Sequence, residues 1–417
     1  MFSSCAAFVK DSKRAEASNA RNQFKGGTDC SDTQTSSIIS LSYAYGSFNS
    51  FVHAQSSVPL FTLDRRLEID VELETEMEYS ATNAKSSGVS LPRSSLKQLA
   101  TRRDVPGLLW LAWWVTSLML SGAALAVTLG SWLVVPAMIV YGSLLALPAY
   151  ALSHETAHGT AFRTRWLNET VFLISSFLYV GEPYHRRYAH TSHHTNTWHI
   201  GKDGQMPFDT PMSFSGWAWE LTGIPTLWYE GKIIVLHSFR KFSPTILSYT
   251  PENELGRLTW SARAYLILYI LIIGLSVTWL PEFLVFLIIP RLVGGIALQV
   301  YTVLQHVELE ENSPSILNST RSFKTNVIGR LLYMNMNHHL GHHLYTQVPF
   351  FALPDLEKEL GDQLPDPDPG VLRSNLDLFC VTLRRSLGKN TKASSLRQAP
   401  HMITTGSYAP IAKASMR

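Results

Sequence analysis

From Val105 to His154 the chain carries no Asp, Glu, Lys or Arg. One membrane span needs about 20 apolar residues, so this stretch is expected to hold two helices, turning back at Gly130-Ser131. A second apolar pair, Ala264–Leu280 and Phe283 to Gln305, is joined by Trp279-Leu280-Pro281-Glu282, without a basic residue. In lipid a backbone must satisfy its own hydrogen bonds, which leaves helices or closed barrels. The expected fold class is therefore an all-α integral membrane protein with four transmembrane helices.

Composition supports this and excludes other classes. Hydrophobic residues make up 46% of the chain and charged ones only 16%, too few charges for an ordinary soluble enzyme. Lys+Arg (35) and Asp+Glu (32) nearly balance, so no nucleic-acid partner is expected. Cys5, Cys30 and Cys380 are odd in number and scattered, which argues against a disulfide framework or thiolate metal site. Near the N-terminus Lys10, Lys13, Arg14, Arg21 and Lys25 accompany no apolar run, so a cleaved secretory leader is not expected. Residues 1–95, rich in Ser, Thr, Asn and Ala apart from a mixed stretch at Leu60–Tyr79, read as a disordered extension. The membrane domain is expected at 96–388 and a flexible tail at 389–417.

Basic residues set the expected orientation. Arg102 and Arg103 precede the first span, Arg163, Arg165, Arg186 and Arg187 follow the second, and Arg321, Lys324 and Arg330 follow the fourth. Short segments rich in Lys and Arg face the cytoplasm. Trp166–Tyr184 and Trp217–Phe239 are apolar but interrupted by charge and rich in Trp and Tyr, so they are expected to lie in the interface. Arg291, inside the fourth span, is expected to face protein or to snorkel.

Three histidine clusters stand beside these spans: His154 with His158, His190 with His193 and His194, and His339 with His342 and His343. They hold eight of the chain's fifteen histidines. Histidines three or four apart share a helix face, and imidazole is a good ligand for iron or zinc. His306, expected at the end of the fourth span, is brought to the same side of the bilayer. Nine converging imidazoles exceed the four that one zinc takes and suit two metals. Two irons side by side can bind and reduce dioxygen and oxidise an unactivated C–H bond, for which a lipid-like chain arriving from the bilayer is the fitting substrate. Glu155, Glu182 and Glu308 adjoin the clusters and are expected to orient imidazoles rather than to bind metal. His185, His199 and His338 are near enough to substitute as ligands.

At these motifs the chain resembles the membrane fatty acid desaturases, whose histidine boxes read HxxxH, HxxHH and HxxHH. The likeness runs from about Leu96 to Leu387. His154-Glu-Thr-Ala-His158, continued by Gly-Thr-Ala-Phe162 and Arg165-Trp-Leu-Asn168, is similar to the first box. Arg186, Arg187 and His190 to His194 are similar to the second, and Asn335 to Tyr345 with Val348-Pro-Phe350 to the third. The segment from Gln305-His306 to Ser322 is similar to the family's stretch before the third box. The resemblance implies a four-helix membrane domain, a cytosolic helical cap carrying the boxes, two non-haem ferrous ions and nine histidine ligands. Those ligands correspond to His154, His158, His190, His193, His194, His306, His339, His342 and His343. Asn337 is expected either to hold a water on one iron, as an asparagine does in some relatives, or to bond at a helix end. Gly341 stands where many relatives carry Glu, and His338 where an aromatic or other residue is common. No His-Pro-Gly-Gly segment is found, so electrons are expected from a separate cytochrome b5 with its reductase, or from a ferredoxin.

The expected function is a dioxygen-dependent desaturase of a fatty acyl or lipid-like chain, placed in the endoplasmic reticulum membrane if the source is eukaryotic. A di-iron hydroxylase or acetylenase tailoring a polyketide or terpenoid chain is the alternative within the class. A histidine-rich metal transporter or sensor is the alternative outside it; that reading requires ligands along a path at mid-membrane, not at helix ends on one side.

Overall fold

The computed structural model describes residues 84–206 and 210–389, together with Glu78 and Thr82. Most of the N-terminal extension, with Cys5, Cys30 and Leu60–Tyr79, and the C-terminal tail beyond Lys389 lie outside the described residues. The described residues are helical, with one isolated β-bridge between Phe323 and Asp368. Residues 84–95, placed by sequence in the extension, pack on the domain: Ala84 and Val89 are buried. Ser87 Oγ accepts from the Ile316 amide, and the Ser90 amide donates to Gln363. Ordered packing thus begins before Leu96.

Helix α1 (Arg93–Leu99) leads into α2 (Asp104–Thr128) and α3 (Val134–Ala157). The carboxylate of Asp104 sits in the first turn of α2 and accepts from the Thr164 amide and hydroxyl, both at 2.8 Å. It complements the positive end of the helix dipole and ties α2 to the loop after α3. Helices α4 (Arg165–Tyr179), α5 (Pro183–Thr195), α6 (Phe214–Leu221), α7 (Ile224–Ser238) and α8 (Pro244–Tyr249) follow before α9 (Leu255–Thr278). A π-helical turn at Leu284–Ile288 opens α10 (Ile289–Thr302). Four segments are long and apolar enough to cross a membrane: Asp104–Thr128, Val134–Ala157, Glu252–Thr278 and Leu284–Thr302. The two interrupted stretches are not among them; they form α4, α6 and α7, with Trp166, Trp219, Trp228 and Phe239 exposed.

Helices α3 and α10 pack backbone to backbone. A Cβ on Gly294 would lie 1.9 Å from the Gly142 carbonyl oxygen, and one on Gly142 would lie 2.5 Å from the Pro290 carbonyl. Only glycine permits this approach. Both glycines stand twelve residues before a clustered histidine, His154 and His306, so the crossing sets both helix ends together. Arg291 on α10 is buried, donating through Nε and Nη2 to the Tyr179 carbonyl at 3.0 and 2.8 Å. It faces protein, as its cost in lipid requires.

Short helices complete the cap: α11 (Ile316–Ser319), α12 (Val327–Leu332), α13 (His339–Leu344), α14 (Leu353–Leu360) and α15 (Val371–Ser386). Buried Arg321 fastens this region through Asp368 at 3.1 Å and through the Val307 carbonyl. One apolar core, including Trp110, Trp114, Leu152, Phe162, Tyr333 and Phe350, joins α2 and α3 to the cap.

Candidate metal centre

Local sequence dictates how each histidine is presented. On α3, His154 lies in the last turn and His158 is the C-cap, so both project where the helix ends. Helix α5 starts at Pro183, whose missing N–H costs nothing in the first turn. The Glu182 carboxylate caps it by accepting from the Tyr184 and His185 amides at 3.1 and 2.6 Å. The resulting helix carries His190, His193 and His194. His339, His342 and His343 stand on the six residues of α13. His306 corrects one expectation: α10 ends at Thr302, and His306 sits in the turn beyond it.

The fold brings all nine together in two groups. His154, His158, His190, His194 and His342 form one; His193, His306, His339 and His343 form the other. Within each group the candidate ligand nitrogens lie within 4.8 Å of one another. In the first group His158 and His194 place Nε2 at 2.8 and 3.0 Å from His190 Nε2. In the second, His306 and His343 each place Nε2 at 3.0 Å from His339 Nε2. Two nitrogens bound at about 2.1 Å to one ion and set at right angles are about 3.0 Å apart, so these spacings suit shared ions. The groups adjoin: the rings of His194 and His343 are 4.1 Å apart.

Burial favours the neutral form, which offers a lone pair, in seven of these imidazoles. Burial, with Arg102 and Arg187 nearby, pushes His158 down to about 3. Burial, with His193 beside it, does the same to His306. His190, His194, His339, His342 and His343 are held well below the usual histidine range by burial and by one another. His154 and His342 have no protein hydrogen-bond partner on either nitrogen. Buried imidazoles with orphaned nitrogens facing one another would cost stability for no return unless a cation binds between them. The residues therefore fit a metal centre.

The three carboxylates expected beside the imidazoles, Glu155, Glu182 and Glu308, turn elsewhere, Glu182 to cap α5. Glu155 accepts from Thr160 Oγ1 at 2.5 Å and the Phe350 amide at 3.0 Å, tying the segment after the third cluster to α3. Consecutive helical residues point about 100° apart, so a neighbour of His154 in sequence faces away from it. Glu308 accepts from the Met212 amide and pairs with Arg385. Asn337 donates to the Phe323 carbonyl, clamping the chain before α13, while its Oδ1 has no protein partner.

The groups that do touch the rings come from loops and from the last residue of α11. Asp203 meets His193 Nδ1 at 2.9 Å, Gln205 meets His190 Nδ1 at 2.8 Å, and Thr197 meets His343 Nδ1 at 3.1 Å. Gln305 lies 3.1 Å from His339 Nδ1, and the Ser319 carbonyl accepts from His306 Nδ1 at 2.8 Å. Burial would raise the Asp203 carboxyl, but His193 and the Gln205 and Trp198 amides hold it below its usual range. A weak sequence signal existed, since Asp203 and Gln205 follow the second cluster within a short loop.

His185, His199 and His338 lie outside both groups. The ring of His185 faces His237 at 5.2 Å, and His199 Nδ1 is 3.1 Å from the Thr197 carbonyl. His338 Nδ1 is 2.5 Å from Glu357, whose carboxylate also accepts from Ser322. A Cβ on Gly341 would lie 3.1 Å from Glu357 Cγ. Both departures noted in the third cluster thus surround one carboxylate supplied by α14.

Comparison with known proteins agrees with this geometry. The sequence profile of the fatty acid desaturase family matches residues 130–373. The sn-1 oleoyl-lipid 12-desaturase of Arthrospira platensis is 24% identical over 271 residues, covering 58% of this chain and 73% of that protein. The acyl-lipid omega-3 desaturase (cytochrome b5) of the endoplasmic reticulum of Arabidopsis thaliana is 24% identical over 262 residues, covering 57% of this chain and 66% of that protein.

Proposed function

This chain belongs to the fatty acid desaturase family, and from that premise we propose that it is a membrane-bound, dioxygen-dependent desaturase of a fatty acyl or lipid-like chain. The observation that carries the reading is the convergence of nine imidazoles into two adjoining groups at the ends of apolar helices. One iron would be held by His154, His158, His190, His194 and His342, the other by His193, His306, His339 and His343. When bound, the irons supply dioxygen reduction coupled to removal of two hydrogens from adjacent carbons.

The chain's own residues shape where this happens. The ring of Tyr150 packs 6.1 Å from that of His154, with Tyr179 and Tyr333 against it and the Arg186 guanidinium over Tyr150 and Tyr179 at 5.3 and 4.2 Å, so aromatic rings flank the first histidine group. An aromatic flank suits an apolar chain arriving from the bilayer. Electrons come from an external donor, a cytochrome b5 with its reductase or a ferredoxin; the relative named for cytochrome b5 favours the first. The arginines flanking the spans favour a cytosolic site, and the same relative favours the endoplasmic reticulum.

The test is expression in a host lacking the activity, with mass spectrometry of total lipids. A new double bond, lost in His342→Ala while membrane insertion persists, and about two irons per purified chain are expected. An added hydroxyl would move the reading to a hydroxylase, and zinc alone would overturn it.

A further inference from the structure

The two histidine groups are braced very differently. In the group of four, every ring has a partner on Nδ1: the Asp203 carboxylate for His193, the Ser319 carbonyl for His306, the Thr197 hydroxyl for His343 and, as a donor, Gln305 Nε2 for His339. A carboxylate and a carbonyl only accept, so His193 and His306 must carry the proton on Nδ1 and turn the Nε2 lone pair inward. The Thr197 hydroxyl donates to the His193 carbonyl at 2.7 Å, which leaves its oxygen free to accept from His343. In the group of five, His190 meets Gln205 on Nδ1, whereas His194 Nδ1 and both nitrogens of His154 and His342 have no protein partner. For His154, His194 and His342 no protein hydrogen bond on Nδ1 fixes the tautomer.

Asp203 is also the one carboxylate hydrogen-bonded to any of the nine rings among the described residues, and it is itself fixed by the Trp198 and Gln205 amides at 2.8 and 2.7 Å. Beneath a metal-bound imidazole, a carboxylate both orients the ring and makes it a stronger donor. We propose that the two metal positions are unequal: the four-histidine group is preorganised, fills first and empties last, and Asp203 is the positioning residue that makes it so. The proposal rests on the di-metal reading above.

The test is anaerobic titration of the metal-free full-length chain in detergent with 57Fe(II), followed by Mössbauer spectroscopy. One iron environment is expected up to one equivalent and a second thereafter. Asp203→Asn keeps a side-chain acceptor but removes the charge, and should weaken the first step about 10- to 100-fold with the second unchanged. Thr197→Val should act on the same step, and serves if Asp203→Asn does not fold. Gln205→Ala should weaken the second step alone. Two environments growing together from the first addition, or an Asp203→Asn first step within about threefold of the parent, would overturn the proposal. Uptake of no iron by the parent overturns the metal reading and the proposal together, and so is distinguishable from failure of the inequality alone.

Discussion

Replacing Gly294 by Ala tests whether the α3–α10 crossing sets the metal centre. The added Cβ would lie 1.9 Å from the Gly142 carbonyl oxygen, against 3.4 Å for ordinary contact, so the two backbones must separate by about 1.5 Å. No rotamer change relieves this, because the obstacle is backbone. Overpacking typically costs 1–3 kcal/mol, and a backbone clash belongs at the upper end, about 3 kcal/mol. Twelve residues of helix, about 18 Å, separate Gly142 from His154, so the displacement is carried to the first histidine group. Metal ligands tolerate about 0.2 Å. The matched control is Gly274→Ala on α9, where an added Cβ meets nothing within 4 Å and helix propensity should add about 0.5–1 kcal/mol. Thermal unfolding in detergent, with iron content measured on the same samples, reads both effects. Gly294→Ala is expected to melt lower and to lose iron, while Gly274→Ala does neither. Equal melting temperatures and equal iron in the two variants would refute the reasoning.

Three further outcomes follow from buried charge. Burial, only partly offset by Arg186 and Arg291, raises Glu230 to about 7, so the folded state binds its proton more tightly than the unfolded chain. The stabilisation is complete below about 4.5 and declines by about 3 kcal/mol as pH rises to 7; in Glu230→Gln, denaturation across that window should lack the decline. His306 has the opposite sign: its pKa is depressed to about 3, so its contribution is complete above 6.5 and is lost as pH falls. Metal-free protein should lose about 2 kcal/mol to this residue by pH 5, a loss absent from His306→Gln in acid denaturation. Arg385→Ala leaves the fully buried Glu308 carboxylate without its cation and should cost about 3 kcal/mol in denaturant unfolding, with part restored by adding Glu308→Gln.

The spans, the nine histidines and their convergence were legible in the sequence because each rests on a local requirement. A stretch without charge must satisfy its backbone as a helix in lipid, and histidines three or four apart share a face wherever that helix lies. The partners of those histidines were not legible. Glu155 and Glu308 adjoin clusters in sequence, yet helix rotation and a turn aim them at Phe350 and Arg385. Asp203, ten residues beyond His193, reaches its ring because the loop after α5 folds back on its own amides. His306 shows the same division: its membership of the site follows from sequence, its place in a turn beyond α10 only from the fold. Sequence determined which elements form and which side chains can bind metal, because propensity and lipid solvation act along the chain. Tertiary structure alone decided which carboxylate stands behind which imidazole, because a hydrogen bond of about 3 Å depends on where separate segments come to rest.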